Sequence, residues 1–143
     1  MKKMILISLL LSLGLYAGEK FSLEVSVDKL RGSDRGSVHF ALYNRDGTIP
    51  DKGYKRYYQK HIEKISNNSS HTIFKNLPKG RYAVSILHDE NSNGKVDMGL
   101  LLPEEGVGFT NYKSINLMNK PNFKKASFEL NLDMKKSITV LYF

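Results

Sequence analysis

Apolar and polar residues alternate along most of this chain, and the alternation predicts strands. Phe21 to Val27 is the clearest case: Phe21, Leu23, Val25 and Val27 fall on one face, with Ser22, Glu24 and Ser26 on the other. That is a strand with one buried and one wet face. Ser37 to Tyr43 repeats the pattern, with Val38, Phe40 and Leu42 inward. Thr72 to Leu77 is a short strand closed by Pro78-Lys79-Gly80. Arg81 to Leu87 is the strongest, with Tyr82, Val84 and Ile86 on one face and Ala83, Ser85 and Leu87 opposite. Ala126 to Leu132 and Ser137 to Phe143 alternate again, and Asp133 to Lys136 reads as a hairpin between them. Tyr54 to Gln59 reads as a short helix or turn, followed by a weak strand near His61 to Ser66. Between these lie turn signals: Asp46-Gly47, Pro50 and Asn67-Asn68. Met98 to Lys125, rich in glycine, proline and asparagine, reads as irregular. About seven strands with no long helix predict an all-β fold, a single antiparallel β-sandwich.

The N-terminus breaks this pattern. Lys2 and Lys3 precede an apolar run from Met4 to Leu15, with small residues near Ala17. That order is a secretory signal peptide, expected to span residues 1–17, with the sandwich domain over residues 18–143. The run is shorter than the ~20 residues a membrane span needs. The expected location is therefore outside the cytoplasm, periplasmic or secreted. The chain has no cysteine, so its core must hold without disulfides; an oxidising compartment permits them without requiring them.

The formal net charge is +8, and Lys2 and Lys3 belong to the leader. A basic exported domain suits anionic cell-envelope or extracellular ligands, such as polysaccharide or lipopolysaccharide. Lys55, Arg56, Tyr57 and Tyr58 are the candidates for such a surface, although tyrosines in this setting also serve to cover a core. Nucleic acid is not expected: no recognition helix, zinc finger or aromatic stacking signature is present.

One stretch carries metal chemistry. HDENSNGKVD runs from His88 to Asp97. Counting from Asp89, oxygen-bearing residues recur at alternate positions as Asp89, Asn91 and Asn93, followed by Gly94, Lys95 and Asp97. This is the front of a calcium loop, in which side-chain oxygens and one backbone carbonyl, here that of Lys95, wrap a hard cation. Val96 is placed to anchor the loop in the core. The twelfth position, where such loops carry a bidentate glutamate, is Leu100, and the preceding element is a strand. The stretch is therefore not an EF-hand. A carboxylate from farther on has to complete the site, and of Glu104 and Glu105 the better placed is Glu105. The competing reading is a plain turn, because Asn-Gly is a strong hairpin signal. A turn, however, does not need Asp89, Asn91 and Asp97 as well. Zinc is disfavoured, since no second histidine or cysteine stands at ligand spacing from His88. A hydrolase using His88, Asp89 and Glu105 is the least favoured reading, because no nucleophile motif accompanies them.

Several motifs chain together after Asn76. NLPKGRYAVSILHDENSNGKVD is followed by LPEEGVGFTN and then PNFKKASFEL. In this order they resemble the secreted bacterial domain-of-unknown-function family 2141. Pro103, Glu105, Gly108, Phe109 and Asn111 occupy its second motif, with Thr110 for a serine; Pro121, Phe123, Ala126 and Phe128 occupy its third. Leu101 departs from a usual glycine. The resemblance implies an exported transthyretin-like or immunoglobulin-like sandwich and no particular activity.

Overall fold

The computed structural model describes residues 18–143, so the leader expected over residues 1–17 lies outside the described residues. Two sheets pack face to face. The smaller contains β1 (Lys20–Val27), β4 (Ser70–Pro78) and β8 (Met134–Ile138), in the order β4-β1-β8. The larger contains β2 (Ser37–Tyr43), β3 (Gln59–Lys64), β5 (Gly80–Asp89) and β6 (Gly106–Phe109), in the order β3-β2-β5-β6. A short β7 (Phe128–Leu130) pairs with the start of β5. The all-β sandwich is as the alternation predicts.

The core explains the strand faces. Leu23, Val25 and Val27 of β1 meet Val38, Phe40 and Leu42 of β2 and Val84 and Ile86 of β5. These positions share one face of each strand, which is why alternate residues are apolar. The strands β2 and β5 are buried on their other faces too. There Ala41, Tyr43, Ala83 and Leu87 lie under Tyr54, Phe109, Tyr112 and Phe123, which come from the long connections. The connections thus form a second layer over the larger sheet. The segment 98–125 is irregular for the most part, yet it supplies this cover.

Several local expectations are sharpened or changed. Of the two readings of Tyr54–Gln59, the turn forms and the helix does not: the Tyr54 N–H closes a turn on the Asp51 carbonyl at 3.0 Å, and β3 begins at Gln59. The strand β6 lies inside the connection read as irregular; its glycines hide the alternation. A one-turn helix α1 (Phe123–Ala126) precedes β7, with Asn122 accepting a hydrogen bond from the Lys125 N–H at 2.9 Å as its N-cap. Finally, Asp133–Lys136 is not a hairpin. β7 pairs with β5 in one sheet, whereas β8 pairs with β1 in the other. The chain crosses between sheets at Asp133, whose Oδ1 accepts the Ser22 N–H at 2.8 Å. The β1–β8 pair is parallel, the exception in an otherwise antiparallel sandwich. The expected strand Ser137–Phe143 ends at Ile138, and the tail then turns to β6, where Leu141 exchanges two backbone hydrogen bonds with Val107 at 3.0 and 2.7 Å.

Candidate metal-binding loop

The loop begins where β5 ends. Asp89 is the last residue of that strand and is buried. Its partner in β2 is Ser37. Gly36, just before Ser37, has φ +80, and a Cβ there would lie 2.2 Å from the Asp89 carbonyl oxygen. Only glycine lets the two backbones meet so closely. This places the Asp89 side chain on the outer face of the larger sheet, under the loop that follows.

The loop then folds on its own side chains. Asp89 Oδ1 accepts the Asn93 N–H at 3.1 Å, and Oδ2 accepts the Gly94 N–H at 2.8 Å. Asn91 Oδ1 accepts the Asn93 N–H at 3.2 Å, and Asn93 Oδ1 accepts the Lys95 N–H at 3.1 Å. The amide nitrogens of Asn91 and Asn93 donate to the Asp97 carboxylate at 2.6 to 2.8 Å. These donors hold the Asp97 carboxyl below its ordinary range, the Asn91 bond first. Ser92 and Gly94 have positive φ, which gives the loop its tight winding. Val96 is half-buried against the outer core, and its N–H donates to the Lys52 carbonyl at 3.1 Å.

Glu105 arrives from the far side, immediately before β6. Its Oε1 accepts the Glu90 N–H at 3.1 Å and its Oε2 accepts the Asp97 N–H at 3.3 Å. One carboxylate therefore clamps both ends of the loop, and the Glu104 N–H adds a bond to the Asp97 carbonyl at 2.8 Å. Burial pushes the Glu105 carboxyl above its ordinary value of 4.5, and the charges of Asp97 and Asp89 push it the same way. A raised carboxyl binds more protons folded than unfolded, so its share of stability falls as pH rises from 4.5 through the folded value. Leu100, at the twelfth position, points to solvent.

The sequence-predicted residues Asp89, Asn91, Asn93, Lys95, Asp97 and Glu105 thus belong to one loop and its clamp. Their oxygens do not form a finished cage: among the described residues, no three His, Cys, Asp or Glu side chains stand in a metal-holding group. The donor set does suit a hard cation. A carboxylate oxygen offers two acceptor sites; Asp89 Oδ1 and both Glu105 oxygens each accept a single N–H. An amide presents oxygen in place of nitrogen on a half-turn of its last torsion. Rotation of Asn91 and Asn93 would turn two donors facing Asp97 into two ligands, and would give up the bonds their oxygens accept from the Asn93 and Lys95 N–H groups.

Two groups around the loop were not foreseen. His39 of β2 is buried with Nε2 3.1 Å from Asp89 Oδ2. Burial and the Lys60 ammonium push its ring below the ordinary 6.5, against the pull of Asp89. The neutral ring then donates to Asp89, and its Nδ1 has no partner among the described residues. Arg31 reaches across to Glu90 Oε1 at 2.7 Å and to the Glu104 carbonyl at 2.9 Å, and lies over the Tyr142 ring. Nothing in the spacing of Arg31 or His39 marks either role.

His88 faces the inner core. It is fully buried, with Nδ1 2.8 Å from the Tyr142 hydroxyl and Nε2 2.8 Å from the Arg35 carbonyl. Both nitrogens are engaged inside the fold, and a general base must reach its substrate's proton. The carboxylate paired with His88 is that of Glu90, with Oε1 3.7 Å from Nδ1, while the Asp89 and Glu105 carboxylates accept from the loop's backbone. At the basic tyrosine stretch, the Arg56 guanidinium donates to the Gly47 and Pro50 carbonyls and stands 3.7 Å from Asp51. Its charge serves the loop there. Tyr57 and Tyr58 stay exposed, and Tyr54 alone of the three is buried.

Fold and site together define a small all-β sandwich with an acid–amide loop on its central strand. The chain belongs to a bacterial family described as an uncharacterized protein conserved in bacteria, domain of unknown function 2141, whose model matches residues 25–139. No curated protein and no solved structure matches the chain.

Proposed function

We propose that the chain is an exported, non-enzymatic β-sandwich whose Asp89–Asp97 loop takes one calcium ion as a structural tie. The observation that carries this reading is the position of Glu105. A residue outside the loop spans its two ends with a carboxylate, where the sequence of the loop itself lacks its closing glutamate. The ligands are the carboxylates of Asp89, Asp97 and Glu105, the turned amides of Asn91 and Asn93, and the Lys95 carbonyl. Six or more oxygens of loose geometry suit calcium better than magnesium. Export rests on the charged and apolar leader. Extracellular calcium modules bind at roughly 0.1–1 mM, so such a site fills outside the cytoplasm.

The tie would join β5 to the connection that covers the larger sheet. At a hundredfold excess of calcium over the dissociation constant, stabilisation is about 2.7 kcal/mol. The test is thermal melting in calcium and in chelator. The wild-type midpoint should rise by several degrees in calcium, and Asp97→Ala should remove that rise. A wild-type midpoint that is the same in both solutions refutes the reading.

A further inference from the structure

Two tight turns on the long connection carry apolar tips. Met98 bridges Pro103, and Asn116 bridges Asn119. The first tip presents Leu100 and Leu101, 99% and 66% exposed; the second presents Leu117 and Met118, 63% and 97% exposed. Turn tips ordinarily favour glycine, asparagine, aspartate and serine. Leu100, Leu101 and Leu117 also line one groove of about 430 Å³, together with Phe109 and Phe143. Single exposed leucines are ordinary, but a contiguous patch marks a surface that meets something apolar.

The direction of the tips narrows what that is. A small ligand seated in the groove would cover Leu100 and still leave Met118, which is outside the groove's lining, in water. Burying both tips together takes an apolar phase outside the protein. The charge around the groove narrows it further. Lys52 and Lys120 line it, and neither forms an ion pair among the described residues. Lys125 reaches Asn119 at the second turn. Asp51, the acidic residue in the wall, is occupied by the Arg56 N–H and the Tyr43 hydroxyl, and Glu104 lies beside Gly99. Lys52, Lys120 and Lys125 outnumber Asp51 and Glu104, so the side chains around the groove and its turns are net positive. A second copy docked on this face would set lysines against lysines. An anionic lipid leaflet supplies both the apolar phase and the opposite charge.

We propose that this face is a peripheral membrane-binding surface. The Leu100–Leu101 and Leu117–Met118 tips enter the acyl boundary, and Lys52 and Lys120 meet lipid phosphates. This stands independently of the calcium reading, and none of these side chains belongs to the loop's ligand set.

The test is co-sedimentation with vesicles of phosphatidylcholine alone and of phosphatidylcholine and phosphatidylglycerol in equal parts. The apolar N-terminal residues are common to all variants, so differences between variants read the tips. Wild type should bind the anionic vesicles more tightly, and salt should weaken that binding. Leu100→Ser with Met118→Ser should weaken it by about tenfold or more per residue and leave the melting midpoint unchanged. Lys52→Glu with Lys120→Glu should erase the preference for anionic vesicles. Equal binding by wild type and the tip variant overturns the proposal. So does a concentration-dependent dimer, seen by sedimentation velocity, that the tip variant abolishes.

Discussion

Asp89→Ala is expected to destabilise the protein by about 3 kcal/mol or more, because it strands several donors at once. The carboxylate accepts from the Asn93 N–H, the Gly94 N–H and, across the sheet, His39 Nε2. His39 and Asp89 are buried, so water cannot replace the lost partner cheaply. Asp89→Asn keeps one acceptor oxygen and should lose less, roughly 1–2 kcal/mol. Urea unfolding measures both. The effect should persist in chelator, since these bonds need no ion. An Asp89→Ala loss within about 0.5 kcal/mol of wild type, the range of a neutral surface change, would show that the carboxylate does not organise the loop.

Gly36→Ala is the second large effect, and it acts from outside the loop. The backbone there is left-handed, and the new Cβ would meet the Asp89 carbonyl at 2.2 Å and the Glu90 Cα at 2.9 Å. Both atoms are backbone, so relief requires β2 and β5 to part at the Ser37–Asp89 pair. The left-handed conformation adds roughly 1 kcal/mol, and overpacking typically adds about 1–3 kcal/mol. The expected sum is about 2–4 kcal/mol in urea, with the amides of Asn93 and Gly94 exchanging faster by hydrogen exchange. If the variant is as stable as wild type, the close approach at Gly36 does not matter to the fold.

The sandwich was legible because its main strands carry their burial in alternation. Leu23, Val25 and Val27 are inward in β1 as their spacing says. β5 was legible for a related reason, since a strand apolar on both faces is a strand covered twice. What alternation could not supply was pairing. β7 and β8 sit close in sequence with turn residues between them, and the hairpin they suggest is overridden by contacts to β5 and β1. β6 was hidden by its glycines. A Cβ at Gly106 or Gly108 would run into Tyr142 and the Thr139 carbonyl of the C-terminal tail, a constraint set by tertiary contact.

The loop shows the same division. Alternate oxygens and Gly94 mark it in the sequence, and Glu105 could be chosen because it stands a short connection away. His39 and Gly36 reach the loop only through the pairing of β2 with β5. That pairing joins residues far apart in the chain, and nothing local announces it. The amides of Asn91 and Asn93 were expected to offer oxygen, but each turns nitrogen to Asp97.

Calcium titration calorimetry tests the central claim most directly. Wild type should bind one ion per chain, with a dissociation constant of roughly 0.1–1 mM, and Asp97→Ala and Glu105→Gln should each abolish or greatly weaken the binding. No binding by wild type, or binding that survives both substitutions, would contradict the account and leave the loop as a turn closed by its own side chains.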